Sequence, residues 1–208
     1  MPRVTDAYRE NRRHEIAAAA ARCVVRLGIG TTSMTDIIAE SKLSAGAVYG
    51  HFDTKKDIIL YAANELLAAR LVELECLDKR FDRAESNGVV LSPRALLRSV
   101  LEVAVSSENE SAFSIQIMSQ AFVDSDIAAV ARRLMESSEN IFASHVYRSA
   151  RAAGRSHDDA STFAREFVPV LVTLAQGFMF QVKLDATIDQ ARLVDRIASV
   201  IPDSYDAA

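Results

Sequence analysis

Apolar residues recur along most of this chain at intervals of three and four, the spacing that predicts helices. Ile16, Ala20, Cys23, Val24 and Leu27 form one stripe and predict a helix from about Arg9 to Leu27, ended by Gly28 and Gly30. Two short helices follow. Ser33 with Asp36 three residues later fits a capping box, so the first begins at Met34, with Ile37, Ile38 and Leu43 as apolar pins. Ser44 suits the N-cap of the second, and Val48 and Phe52 fall four apart on one face. Asp53 is expected to cap a fourth helix running from Lys55 to near Leu77. The mixed-charge stretch from Asp78 to Pro93, with Asn87-Gly88 inside it, reads as a loop.

Further along, Ser92 and Pro93 predict a cap and first residue of a helix reaching about Ser106. Another is expected from Glu110 to Val123, and a long one opens at Ser125 or Asp126 and ends near Gly154. A helix after His157 becomes almost wholly apolar through Phe163, Val168, Leu171, Leu174 and Phe178, with Pro169 expected to bend it. The last spans about Ile188 to Ile201. The prediction is an all-α protein of about nine helices: a three-helix helix-turn-helix domain over 1–54 and a helical body over 55–208.

Composition narrows the picture. At 208 residues, half of them apolar, the chain can bury a sizeable core, yet no apolar run reaches the length of a membrane span. The N-terminus MPRVTDAYRENRR has no apolar signal core, so a cytoplasmic protein is expected. Cys23 and Cys76 match no metal spacing. Net charge is −4, but residues 1–56 carry +3 and the remainder −7. A basic front on an acidic body suits a protein that touches phosphates at one end.

Two short helices at a fixed turn are the minimal device for laying one helix in a DNA major groove. The residues Thr35, Ile38, Ala39, Leu43, Ser44, Gly46, Val48, Tyr49, His51, Phe52, Lys55 and Asp57 resemble the DNA-binding domain of TetR-family transcriptional regulators. The resemblance covers roughly residues 9–60. There are two departures: Lys42 stands where the turn usually carries Gly, and Ala47 where Thr or Ser is frequent. A left-handed Lys42 costs roughly 1 kcal/mol. The resemblance implies a homodimer on a palindromic operator and a body that responds to a small molecule.

On this reading Ser44, Ala45, Gly46 and Ala47 face base edges, while Tyr49, His51 and Lys55 reach phosphates. Ser33, Thr35 and Lys42 lie on the same surface, and Arg3, with Arg12 and Arg13, forms a basic arm. Packing of Tyr49 on the first helix is the structural alternative. In the body, Phe113, Ile117, Met118, Phe142, His145, Gln176 and Phe178 are candidates for an apolar effector pocket. The helix around 163–182 is apolar on nearly every face, so one side is expected to meet a second copy of the chain through Val170, Leu174, Phe178, Leu193 and Ile197. No nucleophile–base set, phosphate loop or metal-ligand spacing is visible, so neither an enzyme nor a cofactor or metal is expected. The expected function is a ligand-responsive regulator, a repressor released by a small apolar molecule. The alternative is a DNA-bound interaction protein whose body docks a protein partner.

Overall fold

The computed structural model describes residues 6–104 and 108–205. Among these, every regular element is a helix: α1 (Asp6–Leu27), α2 (Met34–Ser41), α3 (Ala45–Tyr49), α4 (Lys55–Ser86), α5 (Pro93–Ala104), α6 (Glu108–Gln120), α7 (Ser125–Ala152), α8 (His157–Leu184) and α9 (Gln190–Ser199). The chain forms two compact units: residues 1–69 with 112–132, and residues 70–111 with 133–208. These units are cut differently from a boundary after residue 54, because α4 is one continuous helix that contributes to both.

The first unit is centred on Ile16 and Ala20 of α1, Ile37 of α2, Val48 of α3, and Phe52 and Ile58. All six are buried, and Met34, Ile38, Leu43 and Tyr61 close over them. Burying each large side chain is worth roughly 1.5–3 kcal/mol, enough to hold short helices that would not persist alone. Local chemistry sets the ends. Ser33 accepts from the Asp36 amide while Asp36 accepts from the Ser33 amide, completing the expected capping box. Lys42 ends α2 in the left-handed region at φ 58°, with its N–H on the Ala39 carbonyl. Ser44 caps α3 by accepting from the Ala47 amide.

Two expectations about α4 are corrected. Its cap is Thr54 rather than Asp53: Thr54 and Asp57 exchange side-chain and backbone hydrogen bonds as a second capping box. The helix also continues nine residues past Leu77, to Ser86, through the stretch read as a loop. Leu74, Leu77 and Phe81 keep the apolar stripe and are buried in the second unit. The charges on the other faces find partners. Lys79 pairs with Glu75 one turn back, and Asp82 and Glu85 pair with Arg148 of α7.

The core of the second unit joins Leu74, Leu77 and Phe81 to Leu96, Leu97 and Leu101 of α5, Phe142, Val146 and Ala150 of α7, and Val168, Leu171 and Phe178 of α8. α8 runs through Pro169 as a single helix. Against the expectation from run length, α8 is long and apolar enough to cross a membrane by length and composition. Thr173, Gln176 and Gly177 interrupt the run without adding charge. Seven α8 residues are buried within the unit, as in the core helix of a globular body.

Candidate nucleic-acid interface

The geometry of α2 and α3 leaves one continuous surface open. Val48 is fully buried, whereas Ser44, Ala45, Gly46, Ala47 and Tyr49 are exposed, together with Thr35, Ser33 and Lys42. Apart from the Ser33 and Ser44 caps, these side chains are small, or polar with no role in the fold. Gly46 is the most telling. Its backbone does not take positive φ, and a Cβ built on it meets nothing within 4 Å. The fold therefore places no demand for glycine there, and the absent side chain leaves room for something outside the protein. Tyr49 is half exposed. His51 is half-buried beside it.

Lys55 has a different place from the phosphate contact expected of it. Its ammonium donates to the carbonyls of Ile29 at 3.0 Å, Gly30 at 3.5 Å and Thr32 at 2.7 Å. Those carbonyls line the turn between α1 and α2, so Lys55 fixes the start of α2 from the first turn of α4. Sequence spacing showed the lysine but not the three acceptors waiting for it. Lys55→Met is expected to lower stability by about 1–3 kcal/mol, because the carbonyls lose an ionic donor. A urea midpoint equal to that of the unaltered protein would show the contact to be idle.

Much of the basic excess at the front is likewise engaged inside the protein. Arg22 and Arg26 both bind Glu40, at 2.7 and 3.2 Å. Arg13 lies over the rings of Phe52 and Tyr61, 4.8 and 4.6 Å from their centroids. Arg12 holds Glu15 and Tyr8. Lys56 pairs with Asp124 and Asp126 at 3.0 and 2.8 Å. Arg3 lies outside the described residues. The +3 of this segment is thus a weaker pointer to phosphate than it reads in the sequence, while Lys42, at the turn itself, is exposed and makes no ion pair among the described residues.

The scaffold is sensitive to acid. The Ser33 hydroxyl and backbone amide hold the Asp36 carboxyl below its ordinary value. Arg22, then Arg26, does the same for Glu40. A depressed carboxyl contributes stability above its unfolded pKa and loses it as pH falls through the folded one. Thermal stability is expected to hold from neutrality to about pH 5 and to fall below about pH 4. Asp36→Asn is expected to flatten that fall; an unchanged acid slope would remove Asp36 from the account.

The body residues proposed for an effector are divided between the two units. Phe113 and Ile117 are buried, and Met118 half-buried, in the first unit. Phe142 and Phe178, 2% and 1% exposed, belong to the packed core of the second, and Gln176 is exposed. His145 is fully buried, with Nε2 2.6 Å from Asp78 and Nδ1 2.9 Å from Glu85. Asp78, Asp82 and His145 also have metal-ligand atoms within 4.8 Å of one another. Here, however, Arg148 supplies the cation, reaching Asp82 at 2.7 Å and Glu85 at 2.6 Å. Reading residues 78–93 as a loop hid this network, since helical spacing is what aligns the three carboxylates.

One open space in the second unit is a groove of ≈ 430 Å³ between α7 and α8. Glu139, Asn140 and Tyr147 line one side, and Arg165, Val168 and Pro169 the other. Of the residues proposed for a dimer contact, Phe178 is core, while Leu174, Leu193 and Ile197 pack partly buried against that core. Val170 is 44% exposed, and Phe180 and Leu184 extend the open apolar surface of α8.

Residues 16–62 match the family model for bacterial regulatory proteins of the tetR family. The HTH-type transcriptional regulator HbdR of Aromatoleum sp. (strain CIB) is 36% identical over 58 residues, which span 28% of this chain and a quarter (25%) of HbdR. Two solved structures share the fold. A Saccharomonospora viridis protein described as a transcriptional regulator, in complex with choline, superposes with a TM-score of 0.69 at 18% identity, covering 92% of this chain and 95% of that one. The multidrug binding protein EbrR, complexed with malachite green, does so at 0.62 and 21%, covering 91% and 98%. These relatives are regulators and binding proteins rather than enzymes. The match falls on α2, α3 and the residues that seat them, and by it this segment is similar to the tetR family of bacterial regulatory proteins.

Proposed function

We propose that this protein is a ligand-responsive transcriptional regulator, acting as a repressor in the cytoplasm, that binds a palindromic operator as a homodimer. The observation that carries the reading is the exposed surface of α3, where Gly46 is not needed by the fold and Ala45, Ala47 and Tyr49 stand open. Residues 1–54 serve as the reader and the helical body as sensor and dimerisation element. Ala45, Gly46 and Ala47 approach base edges closely. Tyr49, His51, Lys42 and Thr35 contact phosphates, with Arg3 added from the N-terminal arm. Ser33, Ser44 and Lys55 act mainly by holding the two helices in place, since their polar atoms already have partners. Tyr49→Phe is expected to weaken binding by about 1 kcal/mol, the net worth of one hydrogen bond, and by the same factor on every DNA sequence. Loss confined to one base position in a binding-site selection would instead make Tyr49 a base reader.

Response to a small molecule is supported by relatives of the same fold, which hold choline and malachite green. The groove between α7 and α8 is the better candidate for an effector than the buried phenylalanines, because it is open and mixes apolar walls with Glu139, Asn140 and Arg165. Effector and operator must then weaken each other equally, with a coupling on the order of 1–3 kcal/mol. Titrating choline or malachite green with and without operator DNA tests this. Affinities that match in both conditions would separate those compounds from regulation. Failure to bind either compound, or any other in a broad library, would favour a body that docks a protein.

A further inference from the structure

The groove between α7 and α8 carries opposite charges on its two walls. Its lining positions fall one turn apart on each helix, at 139, 143 and 147 on α7 and at 161, 165 and 169 on α8, so each helix gives it one face. A short turn at 153–156 joins the helices, and the Tyr147 hydroxyl is 2.8 Å from His157 Nδ1, which makes them antiparallel neighbours and sets their register. Two turns away from that contact, Glu139 comes level with the turn of α8 that runs from Arg165 to Pro169. Ala143, Ala164 and Val168 form the floor, and the last two are buried. Glu139 is half-buried and Arg165 exposed, and neither makes a salt bridge or a side-chain hydrogen bond among the described residues. No ion pair therefore closes the groove.

Pro169 adds a second acceptor on the Glu139 side. It has no N–H, so the Arg165 carbonyl loses the donor that an unbroken helix would give it. That carbonyl lies between residues 165 and 169, on the face that lines the groove, and its donor has to come from outside the helix. The Arg165 side chain goes the other way, because helical side chains lean toward the N-terminus of their own helix. Its guanidinium is carried toward Ser161, one turn back, whose hydroxyl makes no hydrogen bond among the described residues. One end of the groove thus presents acceptors, Glu139 and the Arg165 carbonyl, and the other presents donors, the Arg165 guanidinium and Ser161. One to two helical turns separate the ends, roughly 5–10 Å.

We propose that the groove binds a linear ω-amino acid. Its ammonium donates to the Glu139 carboxylate and the Arg165 carbonyl, and its carboxylate accepts from the Arg165 guanidinium and Ser161. A chain of about three to five methylenes matches the separation of the ends and covers Ala143, Ala164 and Val168. An α-amino acid, with both charges on one carbon, is too short to reach both ends. The inference rests on the groove being the effector site and names the chemical class that it takes.

The test is titration of 6-aminohexanoate into the full chain, followed by methyl NMR at Ala143, Ala164 and Val168, with operator binding measured in parallel. These methyls are expected to shift along one saturating curve. Hexanoate, which lacks the ammonium, and hexylamine, which lacks the carboxylate, are each expected to bind about tenfold more weakly or worse, the worth of a charge-assisted hydrogen bond. Glu139→Gln is expected to weaken 6-aminohexanoate to the same degree and leave hexanoate unchanged. Arg165→Gln is expected to do so while leaving hexylamine unchanged. No saturation up to about 10 mM, three probes of equal affinity, or variants without this crossed pattern would overturn the proposal. Saturation in the crossed pattern with operator affinity unaltered would uphold the ligand class and remove the groove from regulation. Release of operator by another compound that shifts the same methyls, with no binding of 6-aminohexanoate, would uphold the effector site and overturn the class.

Discussion

Gly46→Val is expected to lower operator affinity by about a hundredfold, roughly 3 kcal/mol, while leaving the protein folded. Both halves follow from the same observation. Within the protein a Cβ at residue 46 meets nothing within 4 Å, and the backbone does not occupy the region reserved for glycine. The substitution should therefore change stability by no more than about 0.5 kcal/mol, as at an ordinary surface position. On the proposed reading, position 46 is the part of α3 nearest the base edges, and a branched side chain is expected to hold the helix out of the groove. Every contact made through Tyr49 and Thr35 then lengthens together, so the loss exceeds that of any single hydrogen bond. Thermal melting and fluorescence anisotropy on one preparation separate the two halves. Equal affinity with an intact fold would move the reading surface off α3; a collapsed fold would mean that Gly46 serves the structure.

The second large effect concerns assembly. Val170→Asp combined with Phe180→Asp is expected to convert a homodimer to a folded monomer. Both side chains are substantially exposed on α8, so carboxylates there remain hydrated in the single chain. In a two-fold contact each would be buried against its own neighbourhood and left unpaired, at a cost of about 3–5 kcal/mol for a charge stranded in an interface. Leu174 and Leu193 are poorer probes, because they pack against the core and Asp there unfolds the chain instead. Sedimentation of the unaltered protein as a monomer at micromolar concentration, or of the double variant as a dimer, contradicts this assignment. Loss of the dimer should also weaken operator binding steeply, since a single reader spans only half of a palindrome.

The reader was largely legible in the sequence because its signals are local. Ser33 with Asp36 and Ser44 ahead of Val48 each depend on neighbours within four residues, and each takes the predicted conformation, while Lys42 at the turn between them is left-handed. What escaped depends on partners far along the chain. Lys55 looks like a free cation until the carbonyls of residues 29, 30 and 32 are brought to it. Residues 78–86 look like a loop because their charges are mixed, but α7 supplies Arg148 and His145 to match them. Thr54 rather than Asp53 caps α4, and both carry suitable oxygens; the reciprocal bond with Asp57 selects Thr54. The effector candidates were hard to choose for the same reason. Large apolar residues are chosen by core and pocket alike, and burial to 2% and 1% puts Phe142 and Phe178 in the core.

Selection of bound duplexes from a random pool, followed by affinity measurement at fixed salt, tests the central claim most directly. The account predicts an inverted-repeat consensus bound by two protomers. Its affinity should exceed that for scrambled DNA by about a thousandfold or more and fall steeply as salt rises from about 50 to 200 mM. No enriched sequence, and equal affinity for the best and scrambled duplexes, would contradict it.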